Sequence, residues 1–228
     1  MKKFFLIFLI IICASSVYFY NAYNEKIPNR YAPWKPIKLY EKPSFLTKYK
    51  LGKLKDNPQA CMRALDEIPI SYKPLDDREV GTCALNNQIH IEKSLFPYSA
   101  PVKGNCALMA ALIAWEKNVL ETLSKDYFDQ PVKMITHYGI FSCRNVRGSN
   151  RVSEHAKANA IDIAAITLDD GTVISVLKHW DDGGKKGQFL KALRDGSCDY
   201  FKGVLGPEYN SLHNNHFHFD LGPYRICR

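Results

Sequence analysis

The N-terminus places the tightest constraint on what this chain can fold into. Lys2 and Lys3 precede an apolar run, Phe4 to Ile12, that continues less strictly through Cys13–Tyr20. A positive flank followed by a hydrophobic segment is the pattern of an export signal. Phe4 to Tyr20 spans 17 residues, the lower limit for a helix that crosses a bilayer. No strong Ala-x-Ala cleavage site follows, Cys13-Ala14-Ser15-Ser16 being the nearest small cluster, and Ile12 before Cys13 does not suit a lipoprotein site. An uncleaved signal anchor is therefore expected ahead of a cleaved signal peptide. Lys2 and Lys3 would stay inside, with the rest on the periplasmic or extracellular face.

Export governs how the cysteines are read. Cys13 lies in the leader, which leaves Cys61, Cys83, Cys106, Cys143, Cys198 and Cys227. An even number, widely spread and without a C-x-x-C pair, suits structural disulfides in an oxidising compartment. Six cysteines allow fifteen pairings, and sequence does not choose among them.

A chain of 228 residues has room for one globular domain as well as the leader. A hydrophobic fraction of 46% with 24% charged residues excludes wholesale disorder. The net charge is +8, which favours an anionic partner such as wall polymer or a membrane surface. No dense Lys/Arg run with interleaved aromatics stands out, so nucleic acid is set aside. Residues 21–43 hold Pro28, Pro33, Pro36 and Pro43 without apolar periodicity and read as an extended linker that holds the domain off the membrane. The domain itself is expected over 44–228.

Within it, Cys106–Phe128 has the broad apolar face of a helix, with Asn105 as N-cap. Met134–Phe141 and Ala160–Ile166 read as strands. Asp169-Asp170-Gly171 turns into Thr172–Leu177 as a hairpin. Gly187–Arg194 is expected to be helical and His216–Leu221 to be a last strand. Mixed helices and hairpins give an α+β fold, a small antiparallel sheet flanked by helices, preceded by the N-terminal hydrophobic helix.

The chemistry lies in two histidine clusters, Ser153-Glu154-His155 through Asp162-Ile163 and His213-Asn214-Asn215-His216-Phe217-His218-Phe219-Asp220. On a strand His216 and His218 share one face while Phe217 and Phe219 point into a core. Small residues between His155 and Asp162 let the chain fold back so that both meet one ion. Two His and one Asp with an open fourth position is a catalytic zinc arrangement rather than a closed structural one. The second imidazole of the His-x-His pair is placed as the base for a metal-activated water. His90, His137 and His179 stand alone and are read as structural.

These residues resemble a known pattern. Ser153-x-His155-x-x-x-x-Ala160-x-Asp162-Ile163 followed by His216-x-His218 is similar to the M15-type zinc D-alanyl-D-alanine carboxypeptidases and murein endopeptidases. A closer resemblance, over roughly residues 58–228, is to the bacterial extensin-like C-terminal domain family. It is carried also by Tyr138-Gly139-Ile140-Phe141-Ser142-Cys143-Arg144, Val204-Leu205-Gly206-Pro207 and Tyr209-Asn210. The resemblance implies a zinc D-Ala-D-Ala peptidase-like fold with Zn2+ on His155, Asp162 and His218. It also implies His216 as general base, His213 assisting it, and Arg144 on substrate or oxyanion. The substrate implied is peptidoglycan, as stem peptides or cross-links, cut by a carboxypeptidase or an endopeptidase. The alternative is a zinc-containing wall- or protein-binding module without catalysis. One departure stands out: Ala158 occupies a position where the peptidases usually have Gly, which a left-handed turn would favour.

Overall fold

The computed structural model describes residues 2–228. Its first element is α1 (Lys2–Tyr23), an apolar helix with no buried residue, long enough to cross a membrane. Then come α2 (Thr47–Leu54) and α3 (Pro58–Asp66), followed by β1 (Ser71–Pro74), β2 (Arg78–Val80), β3 (Cys83–Leu85), β4 (Gln88–Lys93) and β5 (Val102–Asn105). The central helix α4 (Cys106–Trp115) runs through a π-helical turn, Glu116–Leu120, into α5 (Glu121–Phe128). β6 (Val132–His137), β7 (Ala160–Leu168), β8 (Val173–Ser175), α6 (Val176–His179), α7 (Lys185–Ser197), β9 (Gly203–Leu205), β10 (Phe217–Asp220) and β11 (Ile226–Cys227) complete the α+β fold.

The sheet that matters for function is ordered β11-β9-β10-β7-β6, with β8 added beside β7. All its pairs are antiparallel except β11 on β9. A smaller sheet, β1-β4-β5, and the hairpin β2-β3 lie apart from it. β10 alternates buried and half-buried residues. Phe217 and Phe219 fill one face against Trp180 and Trp115, which leaves the even-numbered residues on the other.

Every residue of α4 is buried, as expected of a helix that is apolar all round and enclosed by other elements. Its N-cap is Asn105, whose side chain accepts from the Ala107 amide. The helical reading of Cys106–Phe128 thus holds, except that the π turn interrupts it and places Glu116, fully buried, directly after Trp115. Glu116 accepts from Ser94 Oγ at 2.7 Å, the Leu95 amide at 3.1 Å and Tyr98 Oη at 2.6 Å. Strand boundaries also differ from expectation: β6 begins at Val132 rather than Met134, β8 covers only Val173–Ser175 before α6 takes up Val176 and Leu177, and β10 is trimmed to Phe217–Asp220. β6 stops at His137 because Gly139, at φ 135°, turns the chain away, and β7 extends to Leu168.

Three disulfides join Cys61 to Cys106, Cys83 to Cys143 and Cys198 to Cys227. Cys13, in α1, is free. Disulfides of this kind belong to an oxidising, extracytoplasmic compartment.

Residues 24–46 depart most from the sequence reading. Instead of an extended spacer they form a strap packed on the domain, with Ala32 fully buried and Leu39 nearly so. The buried Lys50 ammonium donates to the Asn29 and Lys35 carbonyls, and Asn118 Nδ2 donates to the Leu39 carbonyl at 2.9 Å. A proline-rich segment makes few backbone hydrogen bonds of its own, so its carbonyls are free to be claimed by side chains of the domain.

Candidate metal centre

Asp162 of β7 and His218 of β10 are direct cross-strand partners, which puts their side chains side by side on the face opposite Phe217 and Phe219. His155 arrives from a short 3-10 turn, Glu154–Lys157, whose N-cap Ser153 accepts from the His155 amide. The turn closes at Ala158, held in the left-handed conformation at φ 48°. The special backbone geometry is therefore kept with alanine where glycine would be usual.

His155 Nε2 lies 3.2 Å from Asp162 Oδ1 and 3.1 Å from His218 Nδ1, and His218 Nδ1 is 3.0 Å from Asp162 Oδ1. The ligands of a tetrahedral ion at about 2.0–2.1 Å stand roughly 3.3 Å apart, so three near-correct donor positions are already in place. The far nitrogens fix the tautomers. His155 Nδ1 is 2.9 Å from the Ile140 carbonyl, which only accepts, so Nδ1 carries the hydrogen. His218 Nε2 donates in the same way to Asp220 Oδ2 at 2.9 Å. In the neutral imidazoles the lone pairs of His155 Nε2 and His218 Nδ1 therefore converge with a carboxylate oxygen. Such a triangle of acceptors is repulsive unless a cation or a proton sits within it.

The electrostatics agree. Burial pushes the Asp162 carboxyl up, but His155 and His218 outweigh it and hold the group far below the usual carboxylate range. Burial would lower His218, yet its hydrogen bonds to Asp162 and Asp220 push it up to about 9. Ion binding at Nδ1 would displace a proton that His218 takes up there. The donor set, the spacing and the outer hydrogen bonds all fit a zinc ion.

His216 and His213 line the same side. His216 Nε2 is 3.5 Å from Asp162 Oδ1, and its Nδ1 is 2.7 Å from Asn215 Oδ1, so Nε2 is the bare nitrogen turned toward the cluster. His213 Nδ1 donates to Asn210 Oδ1 at 2.7 Å, and the two rings lie 5.3 Å apart. Burial lowers His216, partly offset by Asp162. Burial and the neighbouring His218 bring His213 down to about 4. Both are neutral bases at neutral pH. Tyr138 packs edge-on against His216 at 5.8 Å.

Arg144, expected on substrate or oxyanion, lies outside the bonded cluster. It sits exposed on the loop after Cys143, its carbonyl accepting from the Ser153 amide. Among the described residues no hydrogen bond or ion pair ties its guanidinium to the cluster. His137, bonded through Nε2 to the Ala100 carbonyl, and His179, bonded to Ser175, are scaffold. Two groups of the centre were missed at the level of sequence. Asp220 carries a signal there, since residues two apart on a strand share a face. The Ile140 carbonyl carries none.

No curated protein and no solved structure matches this chain. The family model described as Extensin-like protein C-terminus matches residues 59–228, a stretch that contains both histidine clusters and all six disulfide cysteines. By that match the chain belongs to the extensin-like protein C-terminus family.

Proposed function

We propose that the protein is a zinc-dependent peptidase of the cell envelope, related to the M15-type enzymes in fold and site, that acts on peptidoglycan stem peptides or cross-links. The observation that carries this reading is the convergence of His155 Nε2, His218 Nδ1 and Asp162 Oδ1 within 3.0–3.2 Å of one another, with the ring protons committed elsewhere. A bound zinc ion supplies Lewis acidity, lowering the pKa of a water and polarising a carbonyl. His155, Asp162 and His218 would hold the ion, with Asp220 and the Ile140 carbonyl orienting the two imidazoles. His216 presents a bare Nε2 on the open side, kept neutral by burial and therefore able to take a proton from a nucleophilic water. His213 stands behind it as a second neutral imidazole that can pass the proton on. With α1 as a signal anchor, the site would lie on the periplasmic face.

Metal content of the purified chain, together with digestion of isolated peptidoglycan read by mass spectrometry, tests this. We expect one zinc per chain, and stem-peptide fragments that disappear with chelator. His216→Ala is expected to keep the metal and to lose at least about 100-fold in cleavage. Wild-type cleavage by that variant would remove His216 from the base role. The exposed, untethered Arg144 supports a second reading, a zinc-containing wall- or protein-binding module. Zinc with retention on sacculi but no fragments would select it.

A further inference from the structure

The chain's positive charge is concentrated. Residues 21–55 hold nine Lys/Arg against Glu25 and Glu41, whereas residues 56–228 hold 20 against 21 acidic residues. The basic residues are spaced every few positions rather than run together, so they form a patch only when the strap folds. The same stretch leaves Tyr23, Tyr31, Trp34, Phe45 and Tyr49 exposed, Phe45 at 81%. Three of these rings carry a cation: Lys26 over Tyr23, Arg30 over Tyr31 and Lys53 over Tyr49, at 4.7–5.2 Å.

The patch is tied to the end of α1. Trp34 packs on Tyr20 at 6.2 Å, which lies in the last turn of that helix, and Trp34 Nε1 donates to Asn24 Oδ1 at 2.7 Å. Lys35 donates to the carbonyls of Asn24 and Ile27. Ser44 Oγ donates to the Arg30 carbonyl, which brings Phe45 beside the same surface. Trp and Tyr rings with Lys and Arg at the end of an apolar helix make up the composition of a membrane–water interface.

We propose that the strap and the exposed face of α2 form a platform that seats the domain on the headgroups of the bilayer crossed by α1, with anionic phospholipid as its ligand. The rings enter the headgroup layer, and the ammonium and guanidinium groups meet lipid phosphates, each strengthening association about fivefold. The inference rests on reading α1 as an uncleaved membrane helix. Lys/Arg counts flanking α1 do not favour export, since Lys26, Arg30, Lys35 and Lys38 outnumber Lys2 and Lys3. The three disulfides decide the side instead, and the excess charge then finds its role in lipid binding.

The test uses the full chain in nanodiscs whose acyl chains carry bromine near the glycerol end. Trp115 and Trp180 are buried, so W34F gives the background emission and W34F/F45W adds one reporter. We expect at least about twofold quenching of the reporter with phosphatidylglycerol present. Quenching should be weaker in phosphatidylcholine alone and lost on adding K26E, K42E and K53E, three exposed positions. An unquenched reporter, or quenching indifferent to both lipid charge and charge reversal, overturns the platform. N-terminal peptide mass from the membrane fraction of expressing cells is read separately. Cleavage before residue 26 would sink the anchor reading while leaving the nanodisc result to judge the lipid surface.

Discussion

Replacing Glu116 by glutamine should change how stability depends on pH, in a direction that the burial of this residue dictates. The carboxyl is enclosed where the π turn follows α4. Burial raises it from 4.5 to about 7, against the opposing hydrogen bonds from Tyr98, Ser94 and Leu95. In the unfolded chain it titrates near 4.5, so between pH 4.5 and about 7 the folded state holds the extra proton. Stability from this group is full below pH 4.5 and is lost as pH rises through about 7. At about 1.36 kcal/mol per pH unit the loss is about 3 kcal/mol. The carboxamide of the Glu116→Gln variant would keep an acceptor for the Leu95 amide and would not titrate. The assay is urea unfolding of the detergent-solubilised chain, followed by the fluorescence of buried Trp115 and Trp180, at intervals from about pH 4 to about pH 8.5. The quantity to plot is wild type minus E116Q, which cancels the titration of the histidine cluster. It should be flat below about pH 4.5, fall by about 3 kcal/mol by about pH 7.5 and then level off. A flat difference, or one that rises with pH, would mean that the hydrogen bonds outweigh desolvation and would refute the reasoning.

Other outcomes follow from the same geometry. Asp220→Ala should weaken zinc binding roughly 10- to 100-fold by freeing the His218 ring, measured by competition with a chromophoric chelator; unchanged affinity would deny Asp220 its orienting part. Gly203→Ala should act in the same direction, because its Cβ would stand 2.1 Å from Asp220 Oδ2. Removing the Cys61–Cys106 bridge, which spans 45 residues, should cost about 4 kcal/mol in denaturant unfolding. Ala158→Gly should stay within about 1 kcal/mol of wild type. Ala158→Val, β-branched at positive φ, should lose roughly 1–3 kcal/mol more, and equal stability of the two would show that the left-handed turn is not under strain.

Much of the fold and of the centre can be read from local pattern, where the signal is periodic. The alternation His216-Phe217-His218-Phe219 is enough to place two imidazoles on one face and two rings in the core, because side chains on a strand repeat every two residues whatever surrounds them. The apolar run of α1, the all-apolar Cys106–Trp115 and the even number of exported cysteines work in the same way. Asp220 belongs to the same alternation and was within reach of the same rule.

What only the tertiary structure decided are relations between segments distant along the chain. The pairing of the cysteines, the meeting of His155 with His218 across 63 positions and the hydrogen bond from His155 to the Ile140 carbonyl depend on which strands lie side by side. Backbone carbonyls leave no mark in a sequence, since every residue has one. The strap shows the same limit. Its prolines announce a segment without helix or strand, but whether that segment floats or docks was settled by Lys50, Asn118 and a pocket for Leu39 contributed by the rest of the chain. Local composition determines what a segment can form, and the partners that bury it determine where it goes.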